Sequence, residues 1–264
     1  MLTASEKFDI HAPKKYLEYA ETPAWRAFRD KENQASGASN YAVLKKLEEA
    51  PASIEAVEAY YAGTRCVPKF MFPADSVPPA QARGALIKAG YVLSTRPAVR
   101  MHWQGKVSPL LLARRCPVQM LSVPLAGAAA ALPTAYAGGQ DYVLKVLNRQ
   151  LARGARAFVA LQDGQPVSLC VGLGYADAFC IQLLYTAEGS RRIGCGAAAL
   201  LAALAWARAE QQNYADIFLD CDPDDADALR LFGRAGFAGQ EAPVYCAFKS
   251  LVPPGWRQCL REEL

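Results

Sequence analysis

Apolar and polar residues follow two rhythms along this chain, one typical of helices and one typical of strands. Apolar residues recur at helical spacing in ASNYAVLKKLEEA and ASIEAVEAYYAG, and TPAWRAFRDKENQ begins after a Thr-Pro pair, as helices often do. We therefore predict that residues 1–66 are mainly helical. A short strand follows at Lys69–Phe72, then a helix, AQARGALIKAG, and a strand between Tyr91 and Trp103.

The second half of the chain has the pattern of a sheet flanked by helices. A strand, VQMLSV, precedes a helical region over Pro124–Arg153 that a Gly-Gly turn interrupts. Three antiparallel strands are then predicted, with hairpins at Asp163-Gly164 and at Tyr175–Asp177. The remaining predicted elements are the strand ADIFLDCD, a helix closed by Gly-Phe, and a strand pair over 243–248 and 251–260.

The stretch 179–204 carries the clearest chemical signal. It joins a strand, FCIQLLYT, through a polar turn to an alanine- and leucine-rich helix. The turn contains Arg191 and Arg192, followed by Gly194 and Gly196. A helix N-terminus offers unpaired N–H groups and a positive dipole end, and glycines let a ligand approach the bare backbone. The sequence therefore predicts a diphosphate site at this turn.

Three phosphate-binding loops can be compared with the turn. The P-loop pattern GxxxxGK(S/T) does not occur in the sequence. The dinucleotide fingerprint GxGxxG/A is formally matched by Gly194, Gly196 and Ala199, but its first glycine should directly follow a strand, and the apolar run stops near Thr186. The third pattern fits best: Arg191-x-x-Gly194-x-Gly196, opening a helix after a strand, resembles the acetyl-CoA loop of the GNAT acetyltransferases, Q/R-x-x-G-x-G/A.

A second motif supports the same resemblance. The strand and helix over 215–237 are similar to the GNAT signature N-x-x-A-x-x-L-Y-x-x-x-G-F. The matching positions, in order, are Asp225, Ala228, Leu231, Phe232, Gly236 and Phe237. The resemblance covers about 150 residues, from roughly Val118 to the C-terminus, which is the size of one domain.

The resemblance implies an α/β (α+β) fold of the GNAT acyl-CoA N-acyltransferase type, with a mixed, mostly antiparallel sheet flanked by helices. It implies acetyl-CoA as cosubstrate, with the pantetheine arm pairing with one strand like an added β-strand and the diphosphate on the loop. The cofactor-binding residues implied are Leu184, Tyr185, Thr186, Arg191, Arg192, Ile193, Gly194, Cys195, Gly196, Ala197, Asp225 and Phe232.

Direct attack of an amine on the thioester needs a base for the ammonium proton, donors for the oxyanion and an acid for the thiolate. Phe232 stands where the family has a tyrosine, and it cannot donate a proton. Tyr245 or Tyr185 could supply a substitute hydroxyl. The candidate bases are Asp220, Asp222 and Glu188. The predicted catalytic residues are therefore Tyr245 and Asp220, and a non-catalytic acyl-CoA-binding or regulatory protein on the same fold stays the alternative.

A short internal sequence repeat bears on the first half of the chain. ALIKAGY at 85–91 parallels LFGRAGF at 231–237, and each follows a short strand and a helix. An Ala-Gly-aromatic ending has a physical use, because the glycine caps the helix and the aromatic ring packs on the core. We therefore predict tandem lobes: a helical, degenerate GNAT-like lobe over residues 1–106 and an acetyl-CoA-binding GNAT domain over 107–264.

Composition and net charge limit the classes of partner that the sequence predicts. The net charge of +4 is too weak to indicate nucleic acid, and no apolar stretch is long enough for a membrane span. Eight cysteines occur without a C-x-x-C pair, so no metal site is predicted. Two interpretations of Cys195 remain: a thiol whose pKa is lowered at a helix N-terminus, or a small packing residue. We expect a cytoplasmic protein acting on a small-molecule or peptide amine; a homodimer stays open.

Overall fold

A computed structural model describes residues 2–34, 36–72, 78–112, 116–209 and 212–249. The chain forms two compact units. Unit I comprises the described residues of 2–16 and 99–240, and unit II those of 17–98 and 241–249.

The described residues form helices and strands in both units. In chain order the helices are α1 (Ala4–His11), α2 (Ala50–Tyr61), α3 (Ala80–Lys88), α4 (Pro109–Leu112), α5 (Gly127–Tyr136), α6 (Tyr142–Leu151), α7 (Cys195–Arg208) and α8 (Ala226–Ala235). The strands are β1 (Glu18–Glu21), β2 (Trp25–Arg29), β3 (Tyr41–Leu44), β4 (Lys69–Met71), β5 (Tyr91–Arg96), β6 (Val99–Trp103), β7 (Val118–Leu121), β8 (Arg156–Gln162), β9 (Gln165–Tyr175), β10 (Ala178–Thr186), β11 (Asp216–Cys221), β12 (Phe237–Glu241) and β13 (Val244–Lys249). Among these described helices, none combines the length and apolarity needed to cross a membrane.

The division between the units differs from the predicted boundary at 106/107, because it falls between Ala98 and Val99. The reason is strand pairing: β6 is antiparallel to β11, which places Val99–Trp103 in the sheet of unit I. The N-terminal helix α1 also belongs to unit I, where Phe8 packs edge-on against Phe218. Whether unit II descends from a GNAT-like lobe stays a prediction.

Unit I is built on a seven-stranded sheet of order β12-β6-β11-β10-β9-β8-β7. The three predicted antiparallel strands are β8, β9 and β10, and both predicted hairpins are confirmed. Asp163 and Gly164 take positive φ angles of 50° and 76°, and Ala176 in the second hairpin has φ 48°. Two-residue hairpins of this kind need left-handed backbone, which Asp and Gly adopt readily.

Two core clusters cover the two faces of this sheet, because side chains alternate along each strand. On one face α7 and α8 bury Leu200 and Phe232 near Phe179. On the other face α1, α5 and α6 bury residues such as Leu151 near Phe218. Full burial of one leucine stabilises the folded state by roughly 1.5–3 kcal/mol, so the first cluster holds α7 and α8 on its face of the sheet.

Strands β10 and β11 pair only in part. They are parallel neighbours over three residue pairs, Ala178–Cys180 against Asp216–Phe218. Beyond these pairs, β10 stays bonded to β9 and β11 stays bonded to β6, each to its last residue. A β-bulge between Ile181 and Leu183 shifts the register at this point. We call residues 181–186, where β10 has left β11 within the described chain, the split edge.

Unit II has a six-stranded sheet of order β1-β2-β3-β4-β13-β5. The predicted helix α3 and strand β4 are confirmed, and ASIEAVEAYYAG forms most of α2. The mainly helical prediction for residues 1–66 is wrong over 18–44, where TPAWRAF and ASNYAVL form strands β2 and β3. Over four residues, Tyr41–Leu44, burial alternates with period two, and pairing with β2 and β4 overrides a weak helical spacing.

The end of the chain also differs from the prediction. Strand β13 was expected to pair with residues 251–260, which lie outside the described residues. Within the described chain β13 pairs instead with β4 and β5, both antiparallel, and so lies between them in the sheet of unit II. This pairing places Tyr245 opposite Thr95.

Candidate cofactor-binding site

The turn before α7 is exposed over residues 191–193 and leads into a helix that has no side-chain cap. Gly194 is the N-cap, with left-handed φ 103°, and no side chain caps the helix. Arg192 also has a positive φ, 64°. The first helical bond runs from the Ala198 N–H to the Gly194 carbonyl, 2.9 Å. The N–H groups of residues 195–197 therefore have no acceptor within the helix, which is the arrangement that binds anions.

Gly196 brings the helix close to the end of β10. A Cβ atom on Gly196 would lie 2.7 Å from Thr186 Oγ1. That hydroxyl is held 2.8 Å from Ser168 Oγ, which donates to the Tyr185 carbonyl at 2.9 Å. Since contacts under 3.0 Å are essentially never seen for real Cβ atoms, this position requires glycine unless the Thr186 hydroxyl moves.

The two predicted arginines lie on either side of the turn. Arg191 Nε donates to the Thr186 carbonyl at 3.2 Å, which ties the turn to the end of β10. Arg192 lies 3.5 Å from Asp227, and its side chain is 87% exposed. A surface ion pair of this kind contributes at most about 1 kcal/mol, so Arg192 can turn towards an anion at little cost.

The split edge carries the predicted pantetheine residues Leu184, Tyr185 and Thr186. Leu184 packs against the core cluster under α7 and Tyr185 against the cluster on the opposite face, where its ring contacts Tyr136 edge-on at 5.9 Å. The side chains thus point to the two faces of the sheet. The backbone edge that β11 has left is therefore open to main-chain hydrogen bonds with a ligand.

Ile193 and Ala197 complete the loop. Ile193 is 52% exposed, whereas Ala197 is buried at the start of α7. Cys195 is also buried, and burial together with a hydrogen bond to Cys116 raises the pKa of its thiol to about 11. The burial of Cys195 and its contact with Cys116 favour the other interpretation, that of a small packing residue.

Asp225 and Phe232, the two signature residues predicted to bind the cofactor, have structural roles. Asp225 is the N-cap of α8, and its Oδ1 accepts the Ala228 N–H at 2.9 Å. Phe232 is 6% exposed and lies edge-on to Phe237, with ring centroids 5.9 Å apart. Neither side chain is thus placed by the described contacts as a proton donor.

The predicted acids and bases are also engaged elsewhere. Asp220 forms two 2.8 Å contacts with Arg100, which also contacts Asp9 at 2.7 Å. Asp222 accepts the N–H of Asp224 at 2.9 Å. Of the other candidates, Glu188 begins the short 3-10 turn Glu188–Ser190, and Tyr245 lies in unit II.

Three contacting groups of unit I are not visible to sequence reasoning. Ser168 holds Thr186 beneath Gly196, Arg100 neutralises Asp220, and Cys116 touches Cys195 across 79 positions of chain. Each depends on strand register, which no local pattern specifies. Ser168 could have been found only by pairing β9 with β10, which places its hydroxyl beside Thr186 and near Gly196.

The comparisons with known proteins fit this geometry. Residues 130–237 match the family described as Acetyltransferase (GNAT) family. Among curated protein sequences, none matches the chain at a significant level.

Similar solved structures cover nearly the whole chain. A GCN5-related N-acetyltransferase from Kribbella flavida has 16% identity and a TM-score of 0.65, with 94% of this chain and 95% of that chain covered. A conserved protein of unknown function from Staphylococcus epidermidis has 15% identity and a TM-score of 0.61, covering 93% and 98%. A tandem GNAT protein from the clavulanic acid biosynthesis pathway has 13% identity and a TM-score of 0.51, covering 86% and 84%.

The fold is therefore that of the GNAT acyltransferases, with two mixed sheets flanked by helices, as the sequence predicts. Within it, residues 130–237 are the region that is similar to the GNAT acetyltransferase family.

Proposed function

We propose that this protein transfers an acetyl group from acetyl-CoA to an amine of a small molecule or peptide. One observation carries the proposal: the uncapped N-terminus of α7 lies next to the split edge, joined to it by the Arg191–Thr186 contact. A diphosphate and an amide-bearing arm joined in one molecule fit these two features together, and coenzyme A has both.

Each part of the site has a role in this proposal. The N–H groups of residues 195–197 bind the diphosphate, with Arg192 adding charge. The pantetheine amides bond to the backbone of Leu184–Thr186 as an added strand. The thioester then lies where β10 leaves β11, and a main-chain N–H of the split edge stabilises the oxyanion.

The leaving group explains how transfer proceeds with phenylalanine at 232. A thiol has a pKa of about 8.5, so a thiolate leaves from the tetrahedral intermediate without a strong acid. The ammonium proton of the acceptor goes to solvent. Turnover should then depend more on positioning than on a single side-chain acid.

A non-catalytic acyl-CoA-binding protein is the second candidate. Buried Phe232 and the capping role of Asp225 favour it, since both of these signature residues have structural roles here. The variant Phe232→Tyr separates the candidates. A large gain of turnover would support the non-catalytic reading, whereas an active wild type that the substitution leaves unchanged or destabilises would contradict it.

The test of the first candidate combines binding with turnover. We expect calorimetry to show coenzyme A binding and thiol release from acetyl-CoA to rise with one member of an amine panel. Arg192→Glu should weaken binding about ten-fold, because a favourable charge becomes a repulsive one. Arg83→Glu, the same charge change on the exposed face of α3 in unit II, is the matched control. Tight binding without turnover for any amine would leave only the second candidate.

A further inference from the structure

Two thiols meet beside the α7 turn. Cys195, the first residue of α7, has its Sγ 3.0 Å from the Sγ of Cys116. Cys116 directly precedes Pro117 and strand β7, and its thiol donates to the Leu161 carbonyl at 3.0 Å. Since Cys116 directs its proton to that carbonyl, Cys195 is the donor between the two sulfurs. Neither cysteine is part of a disulfide.

A cavity of about 460 Å³ gives access to this pair. Its lining includes both thiols together with Gln162 and Ile193. Cys116 is half-buried, whereas Cys195 is 3% exposed. A small oxidant in the cavity therefore reaches Cys116 first and finds Cys195 directly behind it. By contrast, Cys170 is fully buried in the sheet, where burial raises the pKa of its thiol well above the usual range.

We propose that a peroxide converts Cys116 and Cys195 into a disulfide and that this bond weakens coenzyme A binding. The thiolate of Cys116 attacks the peroxide, giving a sulfenic acid and releasing water from a hydroperoxide such as hydrogen peroxide. The thiol of Cys195 then attacks that sulfur, the S–S bond forms, and a second water leaves. Two thiols lose two hydrogens, and one hydrogen peroxide becomes two waters.

The effect on the cofactor follows from the position of Cys195. A disulfide has a sulfur–sulfur distance of about 2.05 Å, so the two sulfurs must approach by about 1 Å. The backbone N–H of Cys195 is one of the three proposed to bind the diphosphate, and closing the bond draws the start of α7 and the segment of Cys116 together. Burial also keeps the Cys195 thiol protonated, with its pKa raised to about 11, until Cys116 has been oxidised.

The effect on binding rests on the proposed function, and it is reciprocal. If oxidation lowers the affinity for coenzyme A by some factor, bound coenzyme A favours the reduced pair by the same factor. We expect a factor of about five or more, within the usual range of such couplings. Peroxide would then release coenzyme A from the cofactor loop.

The test uses the full chain. Wild type is treated with hydrogen peroxide, alkylated and digested, and a cross-linked peptide joining residues 116 and 195, two hydrogens lighter, is expected. Coenzyme A titration of the reduced and the oxidised protein should differ about five-fold or more, and dithiothreitol should restore the affinity. Cys116→Ser should bind coenzyme A like reduced wild type and lose the peroxide response. Cys66→Ser, the same change in unit II, should keep it.

Each outcome decides the proposal. Absence of the cross-linked peptide overturns it, and so does a cross-link that leaves the affinity for coenzyme A unchanged. Dithiothreitol reversal in wild type keeps the test decisive if Cys116→Ser fails to fold. If reduced wild type does not bind coenzyme A, the proposed function and the effect on binding both fall, and the cross-link alone then decides whether this pair is an oxidation site.

Discussion

Arg100 and Asp220 form a two-point ion pair across β6 and β11, with Nε–Oδ1 and Nη2–Oδ2 both at 2.8 Å. The guanidinium also contacts Asp9 and lies over the Phe218 ring, 5.0 Å from its centroid. Arg100 therefore links α1, β6 and β11, and Asp220 is one of its two carboxylate partners. This assignment differs from that of a base for an incoming ammonium group, and the two make opposite predictions.

We expect Asp220→Asn to lower the free energy of unfolding by about 1 kcal/mol, because a partly exposed ion pair is lost, and to change turnover by less than ten-fold. Denaturant unfolding and thiol-release assays measure the two effects. Asp224→Asn, an exposed carboxylate on the loop that precedes α8, is the matched control. A hundred-fold loss of turnover at unchanged stability would restore Asp220 as the base.

Gly196 and Gly233 offer a paired test of the α7 turn. We expect Gly196→Ala to lower both stability and coenzyme A affinity, because its Cβ would lie 2.7 Å from Thr186 Oγ1. Gly233→Ala, within α8, meets nothing within 4 Å and should stabilise the protein by up to about 1 kcal/mol through helix propensity. Thermal unfolding with and without coenzyme A measures both. Equal behaviour of the two variants would contradict close packing at the turn.

Asp225 should act through its helix cap rather than through the cofactor. We expect Asp225→Ala to lower the free energy of unfolding by about 1 kcal/mol, because the Ala228 N–H loses its acceptor. Asp225→Asn keeps the cap and removes the charge, so its stability should match wild type, and its affinity for an anionic cofactor should be equal or higher. A marked loss of coenzyme A binding in Asp225→Asn would instead assign the carboxylate to the cofactor.

The start of α1 gives a pH dependence with a defined sign. Thr3 and Glu6 form a capping box, and the bond from the Thr3 N–H lowers the pKa of Glu6 below its usual value of 4.5. Because the pKa of Glu6 is lower in the folded state than in the unfolded state, its charge stabilises the fold at pH values above the unfolded-state pKa. This stabilisation is lost as the pH falls through the folded-state pKa.

We therefore expect wild type to lose more stability than Glu6→Gln between about pH 6 and pH 3, since glutamine keeps the box but does not titrate. Thr3→Ala should cost about 1 kcal/mol at neutral pH and Thr3→Ser much less. Urea unfolding at several pH values measures each difference. Identical pH profiles of wild type and Glu6→Gln would show that the charge of Glu6 does not contribute to the free energy of unfolding.

The sequence predicted the parts of this fold that rest on local chemistry. The hairpin at Asp163-Gly164, the uncapped helix after Gly194 and the left-handed cap at Gly236 all follow from residue type and spacing. The strands β2 and β3 were missed, because short amphipathic windows fit both periods and only their partners decide.

The candidate site divides in the same way. Its loop could be predicted because backbone N–H groups and glycines do the binding, whereas its acids could not. Whether Asp220 is a base or half of an ion pair depends on Arg100, 120 positions away along the chain. Long-range register of this kind lies outside any local pattern.

The order β4-β13-β5 has a consequence for biosynthesis. Strand β13 comes from the end of the described chain, yet it lies between two strands made long before it. Unit II, although most of it is synthesised before most of unit I, has a gap in its sheet until residues 244–249 emerge. Pairing over such a sequence separation is slow. Until β13 pairs, the facing edges of β4 and β5 stay unpaired and can bind a chaperone or a neighbouring nascent chain.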